Sequence, residues 1–170
     1  MLQELPLSDP WVQDMLWALS NPQHVRWDYT KLAMMKYFET SWLAGDTIFV
    51  GDKEKDVLLR CEIYNPKVIA VHICGNGKAI RGVLKEGVVK AFREYKFDIV
   101  ELWSMDERLV RIQEKAGFTV VAQVAKRIYV DGQMQDLTVM HYTRSDYERD
   151  CRLSYRRLHE GSPQTPSGDT

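Results

Sequence analysis

A chain of 170 residues that is 45% hydrophobic is long enough for one core and too short for two comfortable domains. Its formal net charge of −1 supplies no basic field, so nucleic acid and anionic membrane are not expected partners. Cys61, Cys74 and Cys151 form no C-x-x-C pair, which argues against a zinc site or a disulfide framework and suits a reduced, cytoplasmic compartment. The N-terminus lacks a basic region followed by an apolar stretch, and no run approaches the roughly 18 apolar residues of a membrane span.

Ser8-Asp9-Pro10 is a helix-start signal, and Trp11, Met15, Leu16 and Leu19 form an apolar stripe until Asn21-Pro22 stops it. Asp28 is the expected cap of a second helix carrying Leu32, Met35, Phe38, Glu39 and Trp42, which Gly45 ends. Its methionine and aromatic residues (Met34, Met35, Tyr37, Phe38, Trp42) are read as core rather than as a pocket lining. Thr47 to Gly51 and Val57 to Ile63 read as two strands of a hairpin, with Asp52-Lys53-Glu54-Lys55-Asp56 as a charged, solvated tip.

The stretch from Lys67 to Lys96 organises the rest. An apolar run, Val68, Ile69, Ala70, Val71 and Ile73, reads as a buried strand that ends in the turn Gly75-Asn76-Gly77-Lys78-Ala79. A helix begins at once, with Ile80, Val83, Leu84, Gly87, Val88, Ala91 and Phe92 on one face. Strand, glycine turn and helix together aim free backbone N–H groups and a positive helix end at one spot, which suits an anion and most naturally a phosphate. A P-loop is excluded, because His72 stands where its first glycine belongs and Ala79 offers no hydroxyl to magnesium. A dinucleotide fingerprint lacks its third glycine, since Ile80 occupies that position, and lacks the acidic ribose contact. An ordinary β–α turn with glycines for geometry alone remains open on these residues.

Phe97 to Trp103 is a further strand, and strand, crossover helix and strand in this order imply parallel pairing. Asp106 is placed to cap a short helix over residues 107–115, with Leu109, Ile112 and Ala116 inward and Gly117-Phe118 as its stop. Asp131-Gly132 is a two-residue hairpin signal, so Thr119 to Val130 and Gln133 to Tyr142 should pair antiparallel. Residues 144–158 read as a helix whose arginines form a solvated face, and residues 159–170 as a disordered tail.

Cys74-Gly75-Asn76-Gly77-Lys78-Ala79 resembles the acyl-CoA loop Q/R-x-x-G-x-G/A of the GNAT superfamily of N-acetyltransferases, with Cys74 in place of Gln or Arg. Asp106 to Phe118 is similar to the family's second motif, N-x-x-A-x-x-x-Y-x-K-x-G-F, at Lys115, Gly117 and Phe118, and Arg127 to Asp136 resembles its closing hairpin. The resemblance covers about residues 46–143. It implies an α/β (α+β) fold with a mixed, mostly antiparallel sheet around a central parallel pair, flanked by helices and here without the family's usual first strand. Residues 1–45 would supply N-terminal helices, 46–143 the acyl-CoA-binding core and 144–158 a C-terminal helix.

The resemblance also implies acetyl-CoA as co-substrate, an amine acceptor and direct attack of the amine on the thioester. Backbone groups near His72, Ile73 and Cys74 would meet pantetheine and the acyl carbonyl, and Gly75, Asn76, Gly77, Lys78 and Ala79 the pyrophosphate. Asp106 and Gln113 fall at the family's Asn and Tyr, and Gln113 has no titratable proton for the leaving thiolate. Glu62, with its pKa raised by burial, is the candidate base, against the alternative of a surface carboxylate. His72 is the second candidate, since imidazole titrates in the useful range, against a hydrogen-bonded structural histidine. Cys74 is read as a packed thiol, and Tyr129, Tyr142 and His141 are candidates for the acceptor side. Gln113 and Asp106 also fit a second class, a GNAT-like module without catalysis that binds or builds. A weaker similarity to degenerate GNAT-like proteins of tailed bacteriophages, some of them virion components, belongs to that reading. The partner could then be a second copy, or a phage or host protein.

Overall fold

A computed structural model describes residues 1–19, 31–75, 77–130 and 133–160. They form seven strands and five helices in the order β1 (Gln3–Leu5), α1 (Pro10–Leu19), α2 (Lys31–Leu43), β2 (Thr47–Asp52), β3 (Val57–Asn65), β4 (Val68–Gly75), α3 (Gly77–Arg93), β5 (Ile99–Ser104), α4 (Glu107–Ala116), β6 (Thr119–Val130), β7 (Gln133–Thr143) and α5 (Arg144–Glu160). The strands make one sheet in the order β1-β2-β3-β4-β5-β7-β6. Only β4 and β5 run parallel, joined by the α3 crossover; every other pairing is antiparallel. The mixed sheet with a central parallel pair is the architecture expected from the sequence.

The helices cover the two faces unequally. In α3 the residues Ile80, Val83, Leu84, Val88, Ala91 and Phe92 are buried, the three- and four-residue spacing of a single face. They pack with Ile69, Val71, Val100, Leu102 and Met140 in the main core, which α4 joins through Ala116. On the opposite face α1 and α2 bury Val12, Met15, Leu16, Met34 and Phe38 against Phe49 and Leu58, so the core reading of the methionine and aromatic stripe holds for Met34 and Phe38. Nothing comparable covers β5 and β7 on that side among the described residues.

Phe92 ties the helices of the first face together. Its ring stacks on Tyr142 with centroids 6.1 Å apart, meets Tyr147 of α5 at 5.4 Å and lies under the Arg144 guanidinium at 5.6 Å. Arg144 itself donates to Asp98 Oδ1 at 3.0 Å and to the Phe97 carbonyl at 2.6 Å, which fixes the start of α5 to the start of β5.

Three features depart from the sequence-based expectations. A first strand exists after all: β1 pairs antiparallel with β2, with Glu4 opposite Val50. Three residues, two of them polar, carry no legible strand pattern of their own and take their form from the open edge of β2. Asp52 belongs to β2 and is buried at 3% exposure rather than solvated at a hairpin tip; the Met1 ammonium and Lys55 pair with it at 2.9 Å each. The C-terminal helix reaches Glu160, two residues beyond the expected 158. The expected Asp28 cap, the Asn21-Pro22 stop, the Asp131-Gly132 turn and residues 161–170 of the tail lie outside the described residues.

At the far edge β6 pairs only with β7, and its residues 121–127 are exposed on both faces. The register shifts twice, between Val120 and Ala122 and between Val124 and Ile128. At the second shift Lys126 takes a left-handed φ of 49°, and its N–H donates to Asp136 Oδ1 at 2.9 Å.

Phe92→Ala should therefore cost about 3–5 kcal/mol, the range for emptying a buried aromatic site. Val89→Ala, one position along and 36% exposed, should cost about 0.5 kcal/mol or less. Urea unfolding of the two variants against the parent chain checks the contrast.

Candidate active site

The parallel pairing of β4 with β5 is short. It runs from Val68 opposite Ile99 to Val71 opposite Leu102 and stops there. Beyond that point β4 continues from His72 to Gly75 held only by β3, and β5 continues through Trp103 and Ser104 held only by β7. The two strands thus part, and the inner edge of each presents backbone N–H and C=O groups that need a partner. The α3 helix starts at Gly77, at the end of the parted β4.

Gly75 fixes where β4 ends. Its φ of +124° is in the region that favours glycine, and a Cβ there would stand 2.0 Å from the Asp56 carbonyl oxygen and 2.9 Å from Met15 Cε. The turn is thereby seated on the β2–β3 connection. Gly77 differs: a Cβ would meet nothing within 4 Å, and Gly75, Gly77 and Lys78 are exposed. The first turn of α3 is open to solvent, and the positive end of its dipole suits an anion. Asn76 lies outside the described residues.

Strand alternation places His72 and Cys74 on the sheet face that carries α1, and Ile73 on the core face under α3. Cys74 Sγ lies 3.2 Å from the Met15 carbonyl oxygen, to which it donates, a thiol packed against α1 as expected. His72 Nε2 lies 3.3 Å from Glu62 Oε2, so the two candidate bases are one hydrogen-bonded pair. Glu62 Oε1 also accepts an ion pair from Arg60 Nη2 at 3.0 Å, and the Arg60 guanidinium rests over Phe38 at 5.0 Å.

This geometry corrects one expectation. The hydrogen bond from His72, with the Arg60 charge beside it, holds the Glu62 carboxyl below its ordinary value of 4.5 against the opposing effect of burial. Glu62 is an anion near neutrality, accepts from His72 Nε2–H and leaves Nδ1 as the nitrogen with a free lone pair.

A second pair lies across the wedge on the same face. Glu101 Oε2 and His141 Nε2 are 2.7 Å apart, and Glu101 Oε1 accepts from the indole N–H of Trp103 at 2.7 Å. The Trp103 ring stands edge-on to His72 with centroids 6.3 Å apart and meets Tyr64 at the same distance. Of the three acceptor-side candidates, His141 is on this face. Tyr142, its neighbour in β7, points the other way into the core and donates to Asp150 Oδ2 at 2.6 Å, and the side chain of Tyr129 lies outside the described residues. Arg60, Glu101 and Trp103 were not singled out from the sequence. Their signal is the alternation within β3 and β5, which becomes readable only with the strand register.

Asp106 caps α4, its Oδ1 accepting from the Arg108 N–H at 2.7 Å, as expected. Gln113 is buried at 3% exposure, and its Oε1 has no hydrogen-bond partner among the described residues. A buried amide oxygen left in that state is costly unless a donor reaches it. A small cavity lined by Val50, Leu59, Ile69, Leu84 and Val88 lies beneath α3, away from these groups.

Two measurements follow from the geometry. Gly75→Ala should destabilise by about 3 kcal/mol or more, since it adds strain and a backbone collision, whereas Gly77→Ala in the open first turn should change stability by about 0.5 kcal/mol or less; chemical denaturation separates them. Because the Glu62 pKa is depressed on folding, its contribution is present above the ordinary value of 4.5 and is lost as pH falls through the lower folded value. The stability gap between the parent chain and Glu62→Gln should accordingly shrink on acidification below that pH, read from thermal melts across a pH series.

No known protein family matches the sequence, and no curated protein does. Solved structures match well. A mutant form of SpeG spermidine N-acetyltransferase from Vibrio cholerae superimposes with a TM-score of 0.73 at 15% identity, covering 89% of this chain and 97% of that one. The same enzyme in complex with CoA and spermine gives 0.72 at 15% identity over 87% and 97%, and its complex with manganese ions 0.70 at 15% over 88% and 95%. The parting parallel pair, the glycine turn and the flanking helices are therefore those of the GNAT fold, and this chain has that fold.

Proposed function

We propose that the chain is an acyl-CoA-dependent N-acetyltransferase that passes an acetyl group from acetyl-CoA to an amine by direct attack. The observation that carries the reading is the parting of β4 and β5 beyond Val71 and Leu102, directly below the open first turn of α3. A pantetheine amide has the donor and acceptor needed to pair with a parted strand edge, and a diphosphate suits the positive end of the α3 dipole. The structural likeness to enzymes that include one bound to CoA and spermine supports the same assignment.

In this reading the backbone from His72 to Cys74 orients the thioester, and one of its N–H groups supports the developing oxyanion. The amine nitrogen forms the new C–N bond as the C–S bond breaks. His72 Nδ1 takes the proton from the attacking nitrogen, with Glu62 holding the ring through Nε2 and stabilising the imidazolium. Gln113 cannot protonate the departing thiolate, so water supplies that proton, and the unpartnered Gln113 Oε1 accepts a hydrogen bond from the CoA arm. The site is one of small amines or protein amino groups in the cytoplasm.

Gln113 at the tyrosine position and Asp106 at the asparagine position favour the second reading, a GNAT-like binding or structural module. Calorimetry with acetyl-CoA and a free-thiol release assay over an amine panel separate the two. The transferase reading expects heat with acetyl-CoA and thiol release that falls about 10²–10⁴-fold in His72→Ala, with a smaller loss in Glu62→Gln. Absence of any acetyl-CoA heat retires it in favour of the module.

A further inference from the structure

We propose that Glu101 anchors a second positive charge of the acceptor, so that the chain selects diamine-like acceptors over simple monoamines. The inference deepens the transferase reading and starts from sheet register. Glu62 faces Ala70, Ala70 faces Glu101, and Glu101 faces His141, so these four side chains form one row on one face. Ala70 is the short member, buried at 2% exposure between its neighbours, and the two carboxylates stand on strands two spacings apart, roughly 10 Å.

The two carboxylates are not equivalent. Glu62 is matched by the permanent charge of Arg60 at 3.0 Å. Glu101, with its side chain 16% exposed, has as ion-pair partner among the described residues only His141, which is charged only if protonated. A largely buried carboxylate without a permanent cation is unfavourable, and its two hydrogen bonds leave lone pairs on both oxygens. A ligand ammonium would satisfy them. The exposed rings of Trp103 and Tyr64 meet at 6.3 Å on the same face, and Trp103 holds Glu101 through its indole N–H. His72, the proton acceptor of the proposed reaction, stands across from Trp103, so one amine of a short diamine reaches His72 while the other rests at Glu101.

The test is titration of 1,4-diaminobutane and 1-aminobutane into the full chain, with and without CoA, followed by calorimetry. The parent chain should bind the diamine at least about tenfold tighter than the monoamine, the size of one charge-assisted hydrogen bond. In Glu101→Gln, which keeps the shape of the side chain, the ratio should fall to within about threefold. Should that variant melt early, Trp103→Leu gives a second readout with the carboxylate intact, and its ratio should also fall. Equal affinities in the parent chain, or a ratio unchanged in both variants, overturns the proposal. Diamine preference without acetyl-CoA binding would leave the Glu101 anchor standing and remove the transferase, whereas acetyl transfer without diamine preference would do the reverse.

Discussion

The separation of two parallel strands at their C-terminal ends is the constraint on which the molecule depends. Strand pairing is favourable, so β4 and β5 would stay zipped if nothing opposed it. Here each strand keeps its outer neighbour, β3 for β4 and β7 for β5, so parting forfeits only the inner ladder. The helices of the core face hold the opening from behind. Ile80, Val83 and Leu84 of α3 are anchored beside Ile69 and Val71 of β4, and Ala116 of α4 packs in the same core as Leu102 of β5. A fold of this kind opens a free edge of backbone, and backbone is insensitive to side-chain drift.

That insensitivity explains how a chain only 15% identical to its structural neighbours keeps their form. The two faces of the sheet divide the work in the proposed reaction. The core face supplies rigidity through apolar packing, while the α1 side, uncovered over β5 and β7 among the described residues, carries the polar row of Arg60, Glu62, His72, Glu101 and His141. Glu62 and His72 come from adjacent strands of one hairpin, so their mutual geometry is set by the sheet and not by a loop. In the proposed reaction, a base held this way would need little reorganisation when a proton arrives.

Much of this was legible before any coordinates. The spacing of Ile80 through Phe92 marks an amphipathic helix, Asp106 and Gly117 mark the ends of α4, and the glycine turn after an apolar run marks the passage from β4 to α3; each is a local signal with a local cause. Glu62 and His72 were readable as candidates but not as a pair, because their proximity depends on register between β3 and β4. The direction of the Glu62 shift was misjudged for the same reason: burial alone raises a carboxylate, and only the His72 and Arg60 partners reverse it. Glu101 and Trp103 sat in a strand recognised as such, yet their meaning rests on a neighbour, His141, forty positions away. The strand β1 was invisible because it has no pattern apart from the edge it completes.

The irregular course of β6 has a consequence for the molecule in a crowded solution. A twelve-residue outer strand bearing Val121 and Val124 in water would, if flat, offer a continuous template on which another polypeptide could add itself. The left-handed kink at Lys126 and the capture of its amide by Asp136 interrupt that template and put a charged side chain at the break. Self-limitation of sheet growth is thus written into a single lysine and the aspartate across from it.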